Sequence, residues 1–156
     1  MFKKIIILAV IAFSVINFAG CSGGKALELD PQEAIATITN EITFNDTLMA
    51  VNEITVASFY PGLAEVADSF SIQISATAIT TEEIAVVKVK EGSTAADVRA
   101  RLEFRVSEQK FRYEAYLPEQ LPKLENAVIE AKGDYVIMII CEDDTKAKSV
   151  ISKLFK

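Results

Sequence analysis

At its centre the chain reads Ser69-Phe70-Ser71-Ile72-Gln73-Ile74-Ser75-Ala76, a strict alternation of polar and apolar side chains. Alternation with a period of two is typical of a β-strand that has one face in a core and the other in water. A second run, Ile84–Lys90, places valines and lysines at the same spacing. Thr80-Thr81 lies between the two runs, so this region predicts an antiparallel hairpin.

A second hairpin is predicted around Gly133-Asp134, with strands at Ala127–Ala131 and Tyr135–Cys141. Every residue from Tyr135 to Ile140 is apolar. A strand that is apolar on both faces is usually central in its sheet and covered on both sides.

A long helix is predicted between the hairpins, from a cap at Ser93 to Tyr116, just before Pro118. Shorter helices are predicted after Asp30-Pro31, between Asn52 and Tyr60, and after Glu142-Asp143-Asp144. The sequence therefore predicts a single α+β domain over residues 30–156. Its sheet has four mainly antiparallel strands in ββαββα order, with the helices on one face and one or two N-terminal helices before them.

The long helix has two apolar sides. At 100° per residue, one side faces the sheet and carries Ala95, Val98, Leu102, Val106, Gln109, Tyr113 and Tyr116. Phe104 and Phe111 lie nearly opposite, beside a basic stripe formed by Arg101, Arg105 and Arg112. The Ile-rich N-terminal helix can cover the two phenylalanines; alternatively, they form a surface for a protein partner or a homodimer.

The first 20 residues have the form of a secretory signal peptide: Lys3 and Lys4, an apolar run, then Ala19-Gly20 before Cys21. The apolar run is shorter than the ~20 residues that cross a bilayer. Its small-small-Cys ending resembles the lipobox of bacterial lipoproteins, although Phe18 stands where Leu is usual. The resemblance implies lipidation of Cys21, with residues 21–29 as the lipidated cysteine and tether. Ordinary secretion and an uncleaved anchor are the alternatives.

Charge and composition exclude several functions. The net charge is −6, and loss of Lys3 and Lys4 with the leader would make the chain still more acidic. An acidic domain argues against nucleic acid and against flat adhesion to an anionic bilayer, so membrane attachment depends on the lipid. The chain has no His, which removes His-based catalysis and His metal ligation. No catalytic or cofactor motif is recognisable, and we expect no enzyme, cofactor or metal.

Three polar features have both a functional and a structural interpretation. Glu82-Glu83, with Lys88, Lys90 and Arg101, forms either a polar site or, as we expect, a solvated hairpin end with surface ion pairs. Glu142-Asp143-Asp144 is either a calcium site or, as we expect, a helix start capped by Asp144. Cys141 is expected to be a buried small apolar residue, because no His is present to activate it.

A series of short motifs resembles a known family. The motifs are Glu83–Lys88, then Arg101, Gln109 and Tyr116, then Leu124–Ile129 and Gly133–Val136. Together they cover about Asn52 to Phe155 and resemble bacterial lipoproteins classed as a domain of unknown function, number four-three-five-eight. The resemblance implies a lipid-anchored extracytoplasmic domain, and it implies no catalytic residue.

We therefore expect a lipid-anchored module at the outer face of the cell membrane that binds a partner and has no enzymatic activity. The Phe104 and Phe111 side of the long helix is its expected contact surface. The alternative is a small-ligand binder, or a hydrolase that uses carboxylates and Tyr. A third possibility is a homodimer with a purely structural role.

Overall fold

The protein, seen in a computed structural model, is described over residues 28–156. The predicted signal peptide 1–20, Cys21 and most of the tether lie outside the described residues. Within them the chain forms five strands, which are β1 (Leu48–Ala50), β2 (Ala67–Ser75), β3 (Glu83–Val89), β4 (Val128–Lys132) and β5 (Tyr135–Ile140). Six α-helices accompany them: α1 (Pro31–Glu41), α2 (Glu53–Phe59), α3 (Leu63–Val66), α4 (Ala95–Tyr116), α5 (Leu121–Glu125) and α6 (Asp144–Leu154).

The strands form one antiparallel sheet in the order β1-β2-β3-β5-β4. Both predicted hairpins are confirmed, and β5 is an inner strand whose residues are all buried. The prediction of four strands is wrong, because the three-residue β1 pairs with the edge of β2. Its shortness hides it in the sequence, since three residues are too few to establish an alternating pattern.

The sheet is covered on both faces. The two helices that follow the hairpins, α4 and α6, were expected on one face, and that prediction is wrong because they lie on opposite faces. Helix α4 packs on the face formed by Ala85, Val87, Val136, Met138 and Ile140. Helices α1 and α6 pack together on the opposite face, formed by Ile84, Val86, Ile137 and Ile139. This arrangement follows from strands that are apolar on both sides, because each face must be removed from water.

Helix α1 begins as its sequence predicts. The Asp30 carboxylate accepts hydrogen bonds from the backbone N–H groups of Gln32 and Glu33, both at 2.9 Å, and Pro31 occupies the first helical turn. Just before the helix, the Leu29 N–H donates to the Tyr135 hydroxyl at 3.1 Å. The N-terminal end of the described chain is therefore attached to the β4–β5 hairpin end of the sheet.

Helix α4 keeps its predicted extent with two local differences. Its N-cap is Thr94 rather than Ser93, because Thr94 and Asp97 form a reciprocal capping box. Tyr116, predicted on the sheet-facing side, is 70% exposed, so that part of the prediction is wrong. Helix α6 is likewise capped one residue earlier than expected, by Asp143 rather than Asp144.

Helix α1 is expected to be an integral part of the core. Ile38 is fully buried against the sheet, so Ile38→Ala should lower the free energy of unfolding by about 2–5 kcal/mol. Ile54→Ala is the control, since Ile54 is 82% exposed and its truncation should change stability by less than about 0.5 kcal/mol. Urea unfolding followed by circular dichroism measures both. Equal stability of the two variants would show that α1 does not stabilise the domain.

Candidate functional site

Two adjacent glutamates lie at the start of β3, and both are buried. Glu82 and Glu83 are each 1% exposed, so the expectation of a solvated hairpin end is wrong for them. Lys88 does match that expectation, because it lies at the other end of β3 in an exposed ion pair with Asp68. Burial of two neighbouring carboxyl groups is costly unless each is paired and hydrogen-bonded.

Glu83 is held by side chains from two helices. The Arg105 guanidinium donates to it through Nε, at 3.1 and 3.2 Å from the two carboxylate oxygens, and through Nη2 at 2.9 Å. Gln109, one turn further along α4, donates from Nε2 at 2.6 Å. The Tyr60 hydroxyl, which follows α2, donates to the same carboxylate. Four donor groups thus converge on one carboxyl group inside the protein.

The environment of Glu83 changes its titration. Burial raises the pKa of Glu83 above its usual range, while the charge of Arg105 and the hydrogen bonds from Arg105 and Gln109 oppose that rise. The Arg105 guanidinium places a positive charge beside the carboxyl group. The pair is therefore a buried electrostatic unit that connects β3 to α4.

Glu82 forms a second, neighbouring network. One carboxylate oxygen accepts from the backbone N–H groups of Asn45 and Asp46 at 2.7 and 3.2 Å. The other lies 3.3 Å from Nζ of Lys123, which is 8% exposed and also pairs with Glu142 at 3.3 Å. These contacts connect β3 to the segment before β1 and to α5.

A small cavity of about 90 Å³ adjoins both networks. Its lining includes the charged and polar residues Thr81, Glu82, Glu83, Arg105, Gln109, Arg112 and Tyr113, together with apolar Phe59, Ile74 and Ala78. A larger groove of about 410 Å³ runs between α4 and β4, but its charged residues, such as Arg99 and Glu103, are partly or largely exposed. The small cavity therefore differs from this groove in having buried charged groups in its lining.

The predicted partner surface is only partly as expected. Phe104 and Phe111 are 46% and 80% exposed, so the interpretation in which α1 covers them is wrong. Helix α1 instead covers the opposite face of the sheet, where it contacts β2 and β3 and its isoleucines share one apolar cluster with Ile137 and Ile139 of β5. The two phenylalanines therefore remain on the outer side of α4.

The basic stripe is divided by tertiary packing. Arg105 is 7% exposed and points inward to Glu83, which contradicts its place in an exposed stripe. Arg112 is exposed, and Arg101 is half-buried beside Gly62. A sequence signal for Arg105 existed: it lies three residues after Leu102 and four before Gln109, both on the sheet-facing side.

The remaining acidic and thiol groups have structural positions. The Cys141 thiol is 3% exposed and donates to the Asp143 carbonyl at 3.3 Å, and burial raises its pKa to about 11. A thiol of that pKa is a poor nucleophile near neutral pH, as the sequence predicted. Asp143 caps α6 and Glu142 pairs with Lys123. Within residues 28–156, no group of three or more Cys, Asp or Glu side chains fits a metal ion.

Fold and site together define an α+β domain with an antiparallel sheet and helices on both faces. Two buried ion pairs, Glu83–Arg105 and Glu82–Lys123, lie beside a small cavity. The chain belongs to the family described as Domain of unknown function (DUF4358), whose model matches residues 41–141. The match contains the sheet and α4, whereas nearly all of α1 and the whole of α6 lie outside it. These two helices share one layer, so the family region is covered on that face by flanking sequence.

No curated protein and no solved structure shows significant similarity to the chain. In the described part of the chain, no helix combines the length and the apolar character needed to cross a membrane.

We expect the Glu83–Arg105 pair to be essential to the fold. Arg105→Ala leaves a buried carboxyl group without its charged partner, and it should lower the free energy of unfolding by about 3–5 kcal/mol. The control is Arg112→Ala on the same helix, whose exposed side chain should contribute less than about 0.5 kcal/mol. Urea unfolding of both variants measures the difference. A loss for Arg105→Ala no larger than that for Arg112→Ala would contradict the role of the pair.

Proposed function

We propose that the protein is a lipid-anchored accessory domain of the cell envelope that binds a partner and carries out no reaction. The N-terminal sequence supports the location: a basic start, a short apolar run and Ala19-Gly20-Cys21. Lipid on Cys21 would hold the domain on the outer face of the cell membrane. Inertness of the Cys141 thiol and the absence of His from the sequence support a non-enzymatic role.

The direction of the chain suggests which end of the domain faces the membrane. Leu29 is bound to Tyr135, at the end of the sheet where β4 turns into β5. Helix α4 starts at that same end, because β3 ends opposite β5 there, and its 22 residues extend about 33 Å towards the other end. With Cys21 eight residues before Leu29, the tether side would lie at the membrane and the end of α4 would point away from it.

Exposure of Phe111 is the observation that carries the binding proposal. This side chain is 80% exposed on α4, and Phe104 lies two turns before it on the same side. Two large aromatic side chains exposed on one side of the same helix form an apolar patch, which is a candidate contact surface. The contact surface that we propose consists of Phe104 and Phe111, with Arg101 and Arg112 at its flank; Arg105 is not part of it.

The lipid anchor is tested at its cysteine. Cys21→Ala removes the only group to which the lipid can attach, so the protein should move from the membrane fraction to the medium or accumulate as precursor. Cell fractionation with immunoblotting measures this, and Cys141→Ala is the control because Cys141 is a buried residue of the fold. A Cys21→Ala protein that remains in the membrane at mature size would refute lipidation.

The contact surface is tested by replacing one of its apolar side chains with a charged one. Phe111→Glu should leave the unfolding midpoint almost unchanged, since the side chain is exposed, but should abolish in-cell cross-links to a partner. Met49→Glu on the edge strand β1 is the control, because Met49 is also exposed, at 50%. Cross-links that persist in Phe111→Glu would contradict the proposed surface, and cross-links between two copies of the chain would identify the homodimer.

A second function is supported by the cavity. Glu83, Arg105, Gln109 and Tyr113 converge on a partly open cavity of about 90 Å³, which is an arrangement compatible with a small-ligand site. We propose small-ligand binding as the alternative, and it is compatible with the partner-binding role because the cavity lies on the inner side of α4. Hydrolysis by carboxylates and Tyr is less well supported, since Glu82 and Glu83 are ion-paired and the Tyr113 hydroxyl donates to backbone carbonyls.

A further inference from the structure

We propose that the cavity between α4 and the β2–β3 loop binds a carboxylate group. The inference gives the ligand class for the small-ligand function proposed above and rests on it. Three properties of the cavity support it, namely an arginine without an ion pair, unpartnered hydrogen-bond donors and a small size.

One arginine of the lining is free to bind a negatively charged group. Glu83 is paired with Arg105, and Glu82 is paired with Lys123, which also contacts Glu142. Arg112 also lines the cavity, is exposed, and forms no ion pair among residues 28–156. Its guanidinium is therefore available to a ligand carboxylate.

Two donors in the lining are without acceptors. The Thr81 hydroxyl is buried and has no hydrogen-bond partner among the described residues. Arg105 donates to Glu83 through Nε and Nη2 only, which leaves Nη1 without a partner in that part of the chain. Buried hydroxyl groups are nearly always satisfied, so the Thr81 hydroxyl is available to a molecule bound in the cavity. A carboxylate has two oxygens and can accept from both donors at once.

Other polar groups of the lining are already satisfied. The Tyr113 hydroxyl donates to the carbonyls of Ala78 and Thr80, at 3.1 and 3.3 Å. The Gln109 amide donates to Glu83. The Phe59 ring covers the Arg105 guanidinium at 4.2 Å, which shields it from water on that side. Ligand recognition is thus left to Thr81, Arg105 and Arg112.

The volume limits the ligand to a small group. About 90 Å³ corresponds to roughly three water molecules in the liquid, and a four-atom carboxylate such as acetate fills a similar space. Drug-sized ligands need about 300–1,000 Å³ and are too large. Apolar Phe59, Ile74 and Ala78 provide contacts for the ligand's carbon atoms. The carboxylate can belong to a short free acid or to the C-terminus of a peptide.

The test uses the purified lipid-anchored protein in detergent micelles, at a constant ionic strength. Sodium acetate is titrated and its methyl signal is followed by NMR line broadening. We expect saturable binding that weakens about tenfold or more in Thr81→Val and in Arg112→Gln, because each loses one contact to the carboxylate. Lys110→Gln, on α4 but outside the cavity lining, is the control and should bind like the unchanged protein.

Folding is separated from binding by the choice of Thr81→Val. Its hydroxyl has no partner, so the variant should unfold at the same temperature as the parent, or higher, while its acetate binding falls. A variant that binds acetate normally would overturn the role of Thr81. An acetylated tripeptide with a free C-terminus, compared with its amide, distinguishes a peptide source from a free acid: tighter binding than acetate, lost in the amide, supports the peptide.

Two results would overturn the inference in different ways. Acetamide or methylammonium binding as tightly as acetate would refute the carboxylate class while leaving small-ligand binding intact. Absence of saturable binding for every probe, acetate and peptide included, would refute the small-ligand function as well. The lipid anchor is independent of both results, because it is measured at Cys21.

Discussion

Two-sided burial of β3 and β5 is the constraint on which the rest of the structure depends. Ile84 and Val86 of β3 face one helical layer, while Ala85 and Val87 face the other. Neither face of these inner strands can remain in water, since each exposes a continuous apolar surface. Helix α4 covers one face, and α1 and α6 cover the other. Helices that lie far apart in the sequence are thereby required to pack side by side.

Glu82 and Glu83 are the exception to this apolar environment, and they explain much of the polar architecture. Because they precede an inner strand, their carboxyl groups are carried into the core, where Arg105 and Lys123 must neutralise them. A buried ion pair is often no more stable than a well-packed apolar pair of the same size. Stability alone therefore does not account for this cluster, and a role beside a ligand cavity is consistent with its retention.

The Glu82 and Glu83 cluster and the start of the described chain lie at opposite ends of the sheet. The chain enters the domain beside Tyr135, whereas Glu83 lies opposite Ile140 at the other end of β5. A short tether at Cys21 would therefore place the cavity and the exposed end of α4 away from the bilayer. Such an orientation leaves both proposed sites open to molecules of the envelope. Net negative charge further favours this separation from an anionic membrane surface.

Sequence by itself determined the local elements of this protein, because periodicity and caps are properties of neighbouring residues. Alternation at Phe70–Ser75, the apolar run at Tyr135–Ile140 and the helix between Thr94 and Pro118 were all predictable, as was family membership. Three residues of β1 were too few to give a pattern.

Only the tertiary structure decided which elements meet. It placed α1 on the face opposite α4, so Phe111 stays exposed. It also turned Arg105 inward to Glu83 while leaving Arg112, seven residues later, in solvent. The spacing that places Arg105 near the sheet-facing side is shared by Arg112, because residues seven apart lie on the same side of a helix. Helical spacing therefore fixes the side of the helix but not how deeply each side chain is buried. How deeply an arginine of α4 is buried depends on where the sheet ends and on which charged groups lie there. Both are determined only when segments distant in the sequence pack together.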